Sequence, residues 1–162
     1  MAPSGVVLHS RAGDGERIWV LGTLATVIVP GEAVDDRFAL IEFLAPHHLS
    51  PPLHTHPQDE TFTILDGVLT FQSGEDRFVV DTGATVVVPA GVRHTGRVDT
   101  DTARLLVIST PAGLDRLFRD AGVPALDATL PPADAGPAPE VVEQALRTHR
   151  HDNFGPPIGP DD

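Results

Sequence analysis

The 162-residue chain contains no cysteine, no tyrosine and no lysine; all 11 of its permanently basic residues are arginine. Without cysteine there is no thiol nucleophile, no zinc–thiolate site and no disulfide, and nothing speaks to redox compartment. Without lysine a Schiff-base or pyridoxal mechanism has no amine to use. Without tyrosine there is no phenolic acid or radical. No stretch approaches the length of a membrane span. The opening residues, MAPSGVVLHSRAGDGERIWV, lack a basic head followed by a sustained apolar run. No secretory signal is therefore expected, and the default compartment is the cytoplasm. Neither a G-x-S-x-G elbow nor a phosphate-binding glycine loop is present. A net charge of −12 disfavours nucleic acid and anionic membranes as partners, and its simplest role is solubility. What survives for chemistry is carboxylate, imidazole and a few hydroxyls.

At this length the chain makes one domain with a core of its own, and 41% hydrophobic residues is ordinary for such a protein. Short apolar or alternating runs recur at regular spacing. They predict strands near 17–21, 23–29, 37–44, 60–65, 68–72, 76–80, 84–88, 93–98 and 103–109. Pro30-Gly31, Asp66-Gly67, Ser73-Gly74, Thr82-Gly83 and Ala90-Gly91 supply the turns between them. Many short, evenly punctuated strands imply an all-β sandwich or barrel. Trp19, Phe62, Phe71 and Phe78 are expected in its core.

Four residues concentrate the chemistry: His54, His56, Glu60 and His94. On an extended chain, positions two apart leave the same face, their Cα atoms roughly 7 Å apart. Both rings of His54 and His56 can then reach one ion through bonds of about 2 Å. Pro57 biases His56 toward the extended region. Glu60 adds an anionic oxygen on the following strand, where Phe62 and Ile64 share its face. His94 arrives after a Pro-Ala-Gly corner. Three neutral nitrogens and one carboxylate suit a divalent first-row metal (iron, manganese, nickel, cobalt or zinc) and leave positions for other ligands.

The spacing resembles the cupin family. His54, His56, Glu60 and Gly67 match the first family motif, G-x5-HxH-x3-E-x6-G, and Gly83, Pro89, Gly91 and His94 match the second, G-x5-PxG-x2-H-x3-N. His48 stands where the first motif opens with glycine, and Val98 where the second closes with asparagine. The departures touch local turn geometry rather than the metal ligands. The resemblance implies a double-stranded β-helix (jelly-roll) barrel over residues 1–112, and a homodimer. Residues 113–162 are expected to form C-terminal helices and a Pro-rich tail packed on the barrel: one helix at 113–122 and a second from 139 to about 150.

Small cupins with this helix–proline–helix ending resemble quercetin dioxygenases. That implies a dioxygenase-type oxidoreductase acting on a phenolic or enolic molecule, with Glu60 as metal ligand or catalytic base. Two other readings use the same site. One is non-redox Lewis-acid chemistry: isomerisation, elimination, decarboxylation or polyketide cyclisation. The other is small-molecule binding or sensing without turnover. Of the remaining histidines, His149 and His151 are expected at a solvated helix end, where positions two apart diverge by about 200°. His47 or His48 stands near enough in sequence to touch substrate or act as an outer acid, and His9 carries no signal.

Overall fold

The alternating runs fold into antiparallel strands laid in two sheets. The computed structural model describes residues 7–162. The first strands are β1 (Glu16–Val20), β2 (Thr23–Val29) and β3 (Ala39–Pro46), with a 3-10 turn at Gly31–Val34 between the last two. Next come β4 (Leu53–Thr55), β5 (Asp59–Asp66), β6 (Val68–Ser73) and β7 (Asp76–Asp81). β8 (Thr85–Val88), β9 (His94–Val98) and β10 (Thr102–Thr110) complete the barrel strands. Beyond them lie α1 (Leu114–Ala121), β11 (Val123–Pro124), α2 (Pro139–Thr148) and β12 (Asp152–Gly155).

The larger sheet runs β11-β1-β2-β3-β10-β5-β8 and the smaller runs β12-β4-β9-β6-β7. From β3 onward the chain passes repeatedly between the two sheets, which makes an all-β jelly-roll barrel. β10 shows why the sequence folds this way. Ala103, Leu105, Val107 and Ser109 are buried while Arg104 and Ile108 face outward. The two sheets meet through Ala45, Ile64, Leu105 and Val107 on one side and Leu69 and Val98 on the other. Each of the valine, leucine and isoleucine side chains among them contributes about 1.5–3 kcal/mol by leaving water.

A second cluster closes one flank. Leu114, Leu117, Phe118 and Ala121 of α1 pack on Ile18, Val20, Val27 and Ile41. Fully buried Asp115 ties the helix start down, accepting from the backbone N–H of Gly31 (2.9 Å) and of Gly113 (3.0 Å). Among the described residues, no helix is long and apolar enough to cross a membrane.

Differences from the sequence expectation have physical causes. β4, β11 and β12 were not anticipated because two to four residues are too few to display a period. Phe78 is not core: it is 42% exposed and stacks on the outer side of Phe71, ring centroids 6.0 Å apart. At the motif position usually held by glycine, His48 takes a left-handed backbone (φ 63°), a region histidine enters more readily than most residues. Gly67 also has positive φ (108°), and a Cβ there would sit 2.9 Å from that of Ala103.

Candidate metal centre

Short β4 delivers His54 and leads directly to His56, Pro57 ends the extended segment, and β5 restarts it with Glu60 near its first residue. His94 opens β9 and pairs across the sheet with His54. All four side chains are buried. One ring nitrogen from each of His54, His56 and His94 lies within 4.8 Å of the others, so this group is able to hold a metal ion.

The tautomers follow from the outer contacts. His54 Nδ1 lies 2.7 Å from the Pro52 carbonyl, His56 Nδ1 3.1 Å from that of Gln58, and His94 Nδ1 2.9 Å from that of Val92. A carbonyl only accepts, so each Nδ1 carries a proton, and in the neutral ring Nε2 keeps its lone pair. Such carbonyl contacts are the usual way a metal-binding histidine is oriented. The Glu60 carboxylate stands 2.8 Å from His56 Nε2 and 3.3 Å from His94 Nε2. His94 Nε2 is buried and makes no hydrogen bond. An anion facing lone pairs at these distances is repulsive unless a proton or a cation sits among them. The donor set therefore fits a divalent first-row ion.

Burial alone pushes the Glu60 carboxyl up, but in the metal-free protein a proton held between it and the facing His56 and His94 rings, in place of a cation, outweighs this and holds it at about 2. Burial, reinforced by the neighbouring His151 and His94 rings, pushes His54 down to about 3. At neutral pH the carboxylate is thus ionised and the His54 imidazole neutral.

The cluster lines a cavity of about 420 Å³, within the range of small-molecule sites. Phe43, Phe62, Phe71, Leu105 and Phe118 furnish much of its apolar wall. Phe62 and Glu60 share a face of β5, as the alternation implied. Ser50 and Thr95 also reach the wall, but Thr95 Oγ1 already donates to the Pro51 carbonyl at 2.6 Å. Among the described residues no arginine lines the space.

Of the other histidines, His47 and His48 lie away from the site, and the expectation for His151 is corrected. His47 and His48 are exposed, their ring centroids 3.6 Å apart with planes tilted by 32°, and do not line the cavity. His47 Nδ1 instead donates to the Thr100 carbonyl at 2.9 Å. His149 does close α2, 2.6 Å from Asp120 of α1, but His151 is not at a solvated helix end. β12 pairs with β4, placing Asn153 opposite His54, and this turns the His151 ring onto His54. The centroids lie 4.3 Å apart with planes 15° from parallel. His151 lines the cavity, and burial together with the neighbouring His56 pushes it down to about 4. Its contribution depends on pairing two strands far apart in the chain, a signal that local spacing does not carry.

The tail beyond β12 is fastened. Ile158 is buried and its N–H donates to Ser50 Oγ at 3.0 Å. Arg97 Nη1 donates to the carbonyls of Gly159 (2.6 Å) and Asp162 (2.8 Å).

Comparison with known proteins bears on the same region. A family model described as a cupin domain matches residues 40–109. Quercetin 2,3-dioxygenase of Bacillus subtilis (strain 168) is 28% identical over 123 residues, 75% of this chain and 36% of that protein. The chain thus spans little more than a third of the curated relative it matches. Among solved structures, the polyketide cyclase RemF from Streptomyces resistomycificus superposes with a TM-score of 0.57 at 19% identity, covering 78% of this chain and 90% of that one. An RmlC-like cupin from Shewanella frigidimarina NCIMB 400 also gives 0.57, at 17% identity, covering 72% and 99%. At these identities the structural likenesses speak to the fold.

Proposed function

We propose that this chain, placed in the cupin superfamily by the match of residues 40–109 and the likeness to quercetin 2,3-dioxygenase, is a metal-dependent enzyme of the dioxygenase type acting on a phenolic or enolic small molecule. One observation carries the reading: three oriented imidazoles and a buried carboxylate converge on the wall of a largely apolar cavity. The similarity to quercetin 2,3-dioxygenase supports the substrate class.

In this reading His54, His56 and His94 hold a divalent ion, with Glu60 as fourth ligand or as the base beside it. A divalent ion held there would supply Lewis acidity toward a substrate hydroxyl. The remaining work falls to the chain. Carbonyls of Pro52, Gln58 and Val92 fix the rings so that no reorientation is needed on binding. Glu60 Oε2, buried beside the three rings, is the group placed to accept the substrate hydroxyl proton, a role worth roughly 10²–10⁴-fold in rate. The phenylalanine-rich wall excludes water and receives the apolar body of the substrate.

The test begins with elemental analysis of protein purified without added metal, followed by oxygen-electrode assays on a panel of flavonols, catechols and 1,3-diketones. Metal-dependent oxygen uptake with one of them supports the reading. Full turnover under argon with zinc bound would replace it with Lewis-acid chemistry at the same residues. Protein that takes up no divalent ion removes both.

A further inference from the structure

The cavity holds a fourth imidazole that the ligand set does not use. His54, His56 and His94 each commit Nδ1 to a carbonyl, and His149 is engaged with Asp120. His151 differs. Among the described residues neither of its ring nitrogens has a hydrogen-bond partner, and Nδ1 is buried. A polar group left unpartnered away from water carries a penalty that a bound ligand relieves.

The placement of this ring is built rather than incidental. Its backbone N–H donates to the Leu146 carbonyl at 2.9 Å, anchoring it to the end of α2. β12 then pairs with β4 on the ligand side of the barrel. Arg93 lies over the Phe154 ring at 4.1 Å, and Arg97 and Ser50 hold the residues that follow. The ring sits 4.3 Å from that of His54 and 6.0 Å from that of His56 (centroid distances). A molecule approaching the three-histidine group from the cavity therefore passes beside it.

We propose that His151 is a substrate-binding residue, hydrogen-bonding an oxygen of the molecule held at the metal centre. The C-terminal strand thereby becomes one wall of the site. The ligand class is an oxygen-bearing molecule, such as an enol or catechol, that offers a second polar atom beyond the one facing the ion. This rests on the metal-site reading above.

The test uses full-length protein loaded with cobalt(II) and titrated with 4-nitrocatechol, whose visible spectrum reports binding. Metal content is measured on the same samples, and hydrogen exchange follows the β12 amides. His151→Ala is expected to raise the Kd at least tenfold with full metal content and unchanged β12 protection. His151→Gln should recover part of the loss, and His149→Ala, outside the cavity, should bind as the parent does. A Kd for His151→Ala within twofold of the parent at full metal content overturns the proposal. So does loss of the metal or of β12 protection in that variant, either of which makes the ring a ligand or scaffold. If the unaltered protein binds neither cobalt nor 4-nitrocatechol, the metal-site reading itself fails and takes this proposal with it.

Discussion

The four residues of the centre differ in what each is asked to do, and substitutions separate them. His94 has a buried Nε2 without a hydrogen bond, 3.3 Å from Glu60, a position that a bound cation would satisfy. His94→Ala is expected to drop divalent metal content below about a tenth of the parent's, with the far-ultraviolet dichroism of the barrel retained. Stoichiometric metal in that variant would sink the ligand assignment. Glu60→Gln keeps size and removes charge and basicity. It should retain the fold, weaken metal binding, and cut turnover by roughly 10²–10⁴-fold if the carboxylate is the base. The same groups set an acid limit on the metal-free protein. His54 and His151 are held below their ordinary 6.5, at about 3 and about 4, and Glu60 below 4.5, at about 2. Between each pair of values the unfolded chain binds a proton that the folded one refuses, so stability falls as pH falls. Urea midpoints of metal-free protein should decline steadily from about pH 6.5 downward. A flat profile between pH 6.5 and 4 would show that these imidazoles accept protons without cost.

Among the elements, length decided what the sequence could disclose. β5 and β10 run long enough for alternation to show which side chains face inward, and the HxH spacing put His54 and His56 on one face without a fold being known. β4 has only three residues, between prolines, and β12 has four with no apolar rhythm. Neither is visible by periodicity, yet their pairing brings His151 to His54. The helices were legible because Leu114, Leu117, Phe118 and Ala121 repeat at helical spacing. Asp115 was not, since its partner N–H on Gly31 is a tertiary contact. The tail offers an element-level test. Arg97→Ala removes a donor shared by two tail carbonyls and a 2.7 Å contact with Asp99, which should cost about 1–3 kcal/mol. Hydrogen exchange should then rise selectively over residues 152–162 while β10 stays protected. Uniform loss of protection would instead mean that the tail is integral to barrel folding.

For the whole molecule, the proposed metal site links ion binding to folding. A cation bound only by the folded barrel stabilises it by about 2.7 kcal/mol at a hundred times its Kd. For a domain of this size that is a Tm rise of roughly 5–10 °C. Calorimetry with and without EDTA should show the difference in the parent and its absence in His94→Ala. An equal shift in both would place the ion elsewhere. The two sheets and the α1 cluster supply the core without any ligand, so the metal-free chain is expected to remain folded and merely melt earlier.

The seam between β12 and β4 makes one part of the pocket exchangeable. Positions 151 and 153 both line it, yet they lie just before and within a short strand that contributes little to the main hydrophobic clusters. Randomised libraries confined to residues 151–154 would therefore sample new selectivities while leaving the ion cradle untouched, a route to altered catalysts that most barrel positions do not offer.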